Sequence, residues 1–173
     1  MIWLLILQSL YFFLPAYFAN MAPELFKWVP AGAKPINQKK FGDHKTWRGL
    51  VVAVVLGTII FLIQQWLYQF DLFYNISLID YSGLPFWFGS LLGLGAILGD
   101  LAKSYYKRKE GIKPGESWKP WDQLDFVVGG IIGSLFLYVP PASVVAILLI
   151  VSPLLHITIN HIAYWLRIRE SRW

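Results

Sequence analysis

The chain has 173 residues, of which 57% are hydrophobic and 17% aromatic, while only 14% are charged and none is cysteine. A soluble domain carries roughly 25% charged residues, so this composition, with a mean hydropathy of +0.52, excludes an ordinary soluble enzyme and indicates one integral membrane domain, residues 1–173. The lack of cysteine excludes disulfides, thiolate metal sites and a cysteine nucleophile, and the net charge of +5 informs mainly through its placement.

A membrane helix needs about 20 mostly apolar residues, and five runs qualify. The first covers about 2–26, with Pro15 and Asn20 interrupting its second half. No basic residue precedes Lys27, so the n-region of a signal peptide is missing and the segment reads as a retained span. The second covers about 49–70 and the third about 84–106. The fourth, about 124–139, is short and contains Gly129, Gly130 and Gly133. Pro140-Pro141 forms a turn, because proline cannot continue the preceding helix, and the fifth run covers about 141–166. The predicted fold is all-α, with five transmembrane helices.

Basic residues fall in three segments. Loop 27–48 holds Lys27, Lys34, Lys39, Lys40, Lys45 and Arg48. Stretch 103–119 holds Lys103, Lys107, Arg108, Lys109, Lys113 and Lys119, and the tail holds Arg167, Arg169 and Arg172. These are all 15 Lys and Arg of the chain, and five spans put them all on one side. The positive-inside rule makes that side the cytoplasm. The N-terminus is then outside and the C-terminus cytoplasmic, with two basic cytoplasmic loops, in a multi-pass protein of the cell membrane. Four or six spans would split the cations between both faces.

Small residues in the third and fourth runs allow close helix approach, which predicts that these spans lie side by side and bring their acidic ends together. Asp100 closes the third run, and Asp122 and Asp125, three apart at the start of the fourth, share a helical face. A carboxylate at the lipid edge is costly unless paired or bound to a cation. Oxygen donors without cysteine or clustered histidine favour Mg2+. Lys103, Lys107 and Arg108, with Ser104 one turn after Asp100, suit phosphate oxygens. Metal and phosphate together account for both signs of charge.

In the loop KPINQKKFGDHKTWRGL, Asp43, Lys45, Thr46 and Arg48 surround the start of the second helix, whose N-terminus favours an anion. The loop lacks the spacing of a Walker A motif, and Thr46 or Asp43 also suits a helix cap. Asn20 is a polar amide within a span. His156 and Asn160 share a helical face and read as a core pair, His44 sits in the basic loop, and no histidine set suits zinc. Trp118, Trp121, Trp165 and Trp173 form an expected interfacial belt.

The stretch GDLAKSYYKRKEGIKPGESWKPWDQLDF (99–126) resembles the signature of the CDP-diacylglycerol synthase (phosphatidate cytidylyltransferase) family, approximately GD..ES..KR..GIKD......GHGG..DR.D. Matching residues are Gly99, Asp100, Ser104, Lys107, Arg108, Gly111, Ile112, Lys113, Asp122 and Asp125. Pro114 stands for the family's Asp, SWKP for its GHGG and Gln123 for its Arg, so no role is carried to those positions. The small archaeal branch of this family, the CDP-archaeol synthases, is similar along nearly the whole length, through GDHKTWRGL, DQLDFVVGG and PLLHITINHIAYWL.

That resemblance implies an Mg2+-dependent CTP:lipid-phosphate cytidylyltransferase. Its substrates would be CTP and an isoprenoid ether-lipid phosphate, with membrane lipids around it and no nucleic-acid partner. Asp100, Asp122 and Asp125 would hold the metal, Lys107 would join them in catalysis, and Lys103, Ser104 and Arg108 would bind phosphate. Asn20, Asp43, Lys45, Thr46 and Arg48 would form the other wall around CTP. A CTP-dependent polyprenol kinase is one alternative. A transporter is another, but it needs a polar path to the outer face, where Gln64 and Gln65 are the main polar residues.

Overall fold

The computed structural model describes residues 2–112, 116, 118 and 120–165, and of residues 160 and 162–164 only the backbone. Among the described residues all regular elements are helical, apart from one isolated bridge between Pro35 and Thr46. The helices are α1 (Ile2–Phe12), α2 (Leu14–Leu25), α3 (Gln38–Phe41), α4 (Trp47–Leu67), α5 (Asp71–Asn75), α6 (Phe88–Lys109), α7 (Trp121–Ser134) and α8 (Ala142–Trp165). By length and hydropathy α4 and α8 can each cross a membrane alone, and α1 with α2 can do so as one bent span. This agrees with an all-helical membrane protein.

The bend between α1 and α2 is 47° and falls at Phe13, two residues before Pro15. Proline has no N–H to donate to the carbonyl four residues back, so the Tyr11 oxygen loses its helical partner. Gln64 of α4 replaces it, its Nε2 donating to Tyr11 O at 2.5 Å. Gln65 donates to the carbonyls of Tyr81 and Leu84 at 3.0 and 2.8 Å. Both glutamines are thus tied to backbone at one end of the bundle, holding the segment after α5 over it. A cluster of Phe12, Phe13, Phe61, Tyr81 and Phe88, each almost fully buried, fills that end.

Helix α6 lies between α4 and α7 and packs most extensively on α7. Gly89 and Gly93 face α4: a Cβ at Gly57 would come within 2.7 Å of the Gly89 carbonyl. Gly95 and Gly99 face α7, where a Cβ on Gly99 would overlap the Asp125 carbonyl and one on Gly95 the Gly129 carbonyl. Both pairs have the small-x-x-x-small spacing that lets backbones touch. The side-by-side placement expected for the third and fourth spans is therefore observed. It brings the C-terminal turns of α6 to the first turn of α7. Helix α6 ends at Lys109; Gly111 beyond its cap has a φ of +72°, which suits a glycine after a helix end, and Ile112 N returns to Lys107 O at 3.0 Å.

Candidate functional site

Thr46 is the N-cap of α4: its hydroxyl accepts from Gly49 N at 3.1 Å, satisfying an otherwise unpaired donor of the first turn. Ahead of it the loop is pinned by Ile36 N to Lys45 O at 2.8 Å and Arg48 N to Gly32 O at 2.8 Å. Pro23 of α2 lies against Gly49. These contacts carry Lys45 over the end of α6, where its ammonium bonds Asp100 Oδ2.

On α6, Asp100, Ser104 and Lys107 follow one helical stripe and are all nearly buried. The Ser104 hydroxyl is spent on the Asp100 carbonyl, at 2.8 Å. Lys103 is the centre of the cluster. Its Nζ lies 3.0 Å from Asp100 Oδ1, 2.7 Å from Asp125 Oδ2 and 3.4 Å from Asp122 Oδ1. Lys107 Nζ lies 3.3 Å from Asp122 Oδ1 and also donates to the Glu116 carbonyl. The backbone adds a 2.5 Å bond from Trp118 N to Asp122 Oδ2 and a 2.7 Å bond from Phe126 N to Asp125 Oδ1. Three carboxylates are thus set against three ammonium groups in a partly desolvated pocket. Such networks hold only when the charges balance and hydrogen bonds fill the remaining positions.

The three aspartates and the lysines at 103 and 107 form one cluster; Lys45, expected on the opposite wall, joins it by pairing with Asp100. The other candidates are placed differently. Arg48 donates from Nη1 to the carbonyls of Lys27 at 2.9 Å and of Val29. Arg108 donates from Nη1 to Ile112 O at 2.6 Å, with the Gly42 turn resting on its guanidinium. Each guanidinium keeps a buried Nε–H without a partner. Both are committed to loop carbonyls in this arrangement, with donors still in reserve. Asp43 is exposed in the turn before Lys45, and Asn20 is half-buried on α2, one turn before Pro23. Neither takes part in the ion pairs of the cluster.

Sequence reasoning did not find the crevice beside the cluster, lined by Pro23, His44, Lys45, Gly49, Ile97 and Leu101 among others. It is polar at the Lys45 rim and apolar toward α6. Lys45 is a sequence candidate, but its meeting with Pro23 and Ile97 depends on helix placement. Of the histidines, the His156 ring lies 5.8 Å from that of Phe126, and the Asn160 side chain paired with it in the sequence reading lies outside the described residues. Trp118 and Trp121 have rings 6.1 Å apart and Trp165 is exposed; Trp173 lies outside the described residues.

The oxygen-only donor set of Asp100, Asp122 and Asp125 fits a hard divalent cation, and the three carboxylates already gather around one cationic point. As packed, no group of three His, Asp or Glu side chains among the described residues is arranged to hold an ion. The Lys103 ammonium stands between them.

A family model described as CarS-like, CDP-archaeol synthase, matches residues 1–173. The CDP-archaeol synthase of Pyrococcus furiosus is 35% identical, covering 97% of this chain and 98% of its own. That of Methanocaldococcus jannaschii is 31% identical over the full length of both. A solved structure, described as an intramembrane enzyme for archaeal membrane lipids biosynthesis, superposes with a TM-score of 0.70 at 27% identity. It covers 90% of this chain and 94% of that one.

Proposed function

The chain belongs to the CDP-archaeol synthase family, and on that premise we propose that it transfers CMP from CTP to the phosphate of 2,3-bis-O-(geranylgeranyl)-sn-glycerol 1-phosphate. The products are unsaturated CDP-archaeol and pyrophosphate. The observation that carries this reading is the cluster of three aspartates and three lysines at one end of the apolar bundle. A water-soluble triphosphate and a lipid phosphate can meet only at such a boundary.

An oxygen of the lipid phosphate attacks the α-phosphorus of CTP, the bond to the β-phosphate breaks, and pyrophosphate leaves with the electron pair. The attacking phosphate is already ionised at neutral pH, so no strong base is required. Catalysis is then positioning and charge neutralisation. Lys45, Lys103 and Lys107 supply cations to the phosphates, and the spare donors of Arg48 and Arg108 face the same task. Mg2+ held by Asp100, Asp122 and Asp125, directly or through water, would add neutralising charge. Asn20, Asp43 and Thr46 stand on the wall around CTP, with Ser104 behind Asp100. Purified protein given α-labelled CTP, Mg2+ and the lipid phosphate is expected to place label in lipid. Phosphorylated lipid with release of CDP would instead identify a kinase.

The same reading places the cluster at the cytoplasmic edge of five spans: α1 with α2, then α4, α6, α7 and α8. The absence of native cysteine makes single-cysteine labelling clean. Leu72→Cys, at a position 69% exposed on α5, is expected to react with an impermeant maleimide on intact cells. Lys39→Cys is expected to react only after permeabilisation. The reverse pattern would overturn the orientation.

A further inference from the structure

We propose that Lys103 is a positioning residue that keeps the place of a divalent cation: its ammonium gathers Asp100, Asp122 and Asp125 before substrates bind and leaves them when the cation arrives. This rests on the reading of those carboxylates as cation ligands. The backbone contact between Gly99 and Asp125 brings three acids from two helices together whether or not an ion is present. Three carboxylates at that range repel one another unless a positive charge stands among them. Lys45 reaches Asp100 and Lys107 reaches Asp122, but Lys103 alone lies within 3.4 Å of an oxygen from each of the three.

An ammonium and a divalent cation cannot share those oxygens. Both seek the same lone pairs, and at about 3 Å their mutual repulsion is large in a partly desolvated site. The four-carbon stem of lysine has the freedom to withdraw, and an arriving phosphate offers the released ammonium a new anionic partner. Lys103 thereby sets the affinity of the carboxylates for the cation, and cation and phosphate are favoured together.

The test uses the full-length protein in detergent, with Mn2+ as the probe read by electron paramagnetic resonance and thermal unfolding followed in EDTA and in excess Mg2+. Lys103→Met is expected to bind Mn2+ at least about tenfold more tightly than wild type. In EDTA its Tm is expected to fall by about 5 °C, because buried Asp125 loses its counter-charge and Asp100 and Asp122 lose a shared one, and excess Mg2+ should remove the deficit. A merely structural lysine would leave a variant with weaker Mn2+ binding and a deficit that Mg2+ does not repair; either result overturns the proposal. So does unchanged Mn2+ affinity, or failure of the variant to fold even with Mg2+ present. Lys103→Arg keeps the charge and is expected to bind Mn2+ no more tightly than wild type, so tighter binding there also overturns it. If Mn2+ binds neither wild type nor Lys103→Met, the carboxylates are not cation ligands, and that failure is distinguishable from loss of the Lys103 role alone.

Discussion

Asp125→Asn is expected to lower turnover by about a thousandfold, the scale seen when one preorganised charge is removed from a transition-state site. The carboxylate is almost fully buried, lies 2.7 Å from Lys103 and accepts from Phe126 N at 2.7 Å. An asparagine keeps the size and one acceptor, so the helix start survives while the charge is lost. Asp122→Asn is expected to behave similarly, since its oxygens face both Lys103 and Lys107. The measurement is the initial rate of label transfer from α-labelled CTP to lipid, with thermal unfolding as the check on folding. Asp80→Asn is the control: that carboxylate bonds Ser82 in the segment at the opposite end and its loss should leave the rate unchanged. Near-normal turnover in Asp125→Asn would remove Asp125 from the site.

Gly99→Leu is expected to destabilise the protein by about 3 kcal/mol or more, the upper range for forcing volume into a packed interface. Turnover should be lost with it. The added side chain must displace the Asp125 carbonyl, so α6 and α7 separate where Asp100 and Asp125 have to meet. Gly83→Ala, where an added Cβ finds its nearest neighbour at 3.5 Å, is expected to have little effect. Wild-type unfolding temperature and rate in Gly99→Leu would contradict the backbone contact between the two helices.

The long helices were legible from their apolar runs, α4, α8 and the bent α1–α2 pair by spanning length as well, and the break near Pro15 was flagged by proline itself. Its position at Phe13 was less legible, because it reflects how Gln64 captures the Tyr11 carbonyl from another helix. Helix α7 begins at Trp121, ahead of the apolar run that suggested 124, because a first turn tolerates Asp122 well. Within the site, the pairing of Lys103 with Asp100 follows from their spacing of three. Its reach to Asp122 and Asp125 does not, since that depends on how α7 is set against α6. Arg48 and Arg108 show the converse. Their type suggests phosphate, while their present partners are loop carbonyls that no residue pattern encodes. The match to the family signature supplied the substrates, which composition and spacing alone did not name.

The contact between α6 and α7 acts as a fixed gauge. Where Gly95 and Gly99 meet Gly129 and Asp125, the spacing is set by main chain on main chain, with no side chain that can change rotamer to widen or narrow it. That contact lies between the helices, while Leu98, Val128 and Ile132 are exposed on the outer apolar surface. The spacing of the two helices at the acidic site is therefore expected to change little with bilayer thickness or acyl fluidity.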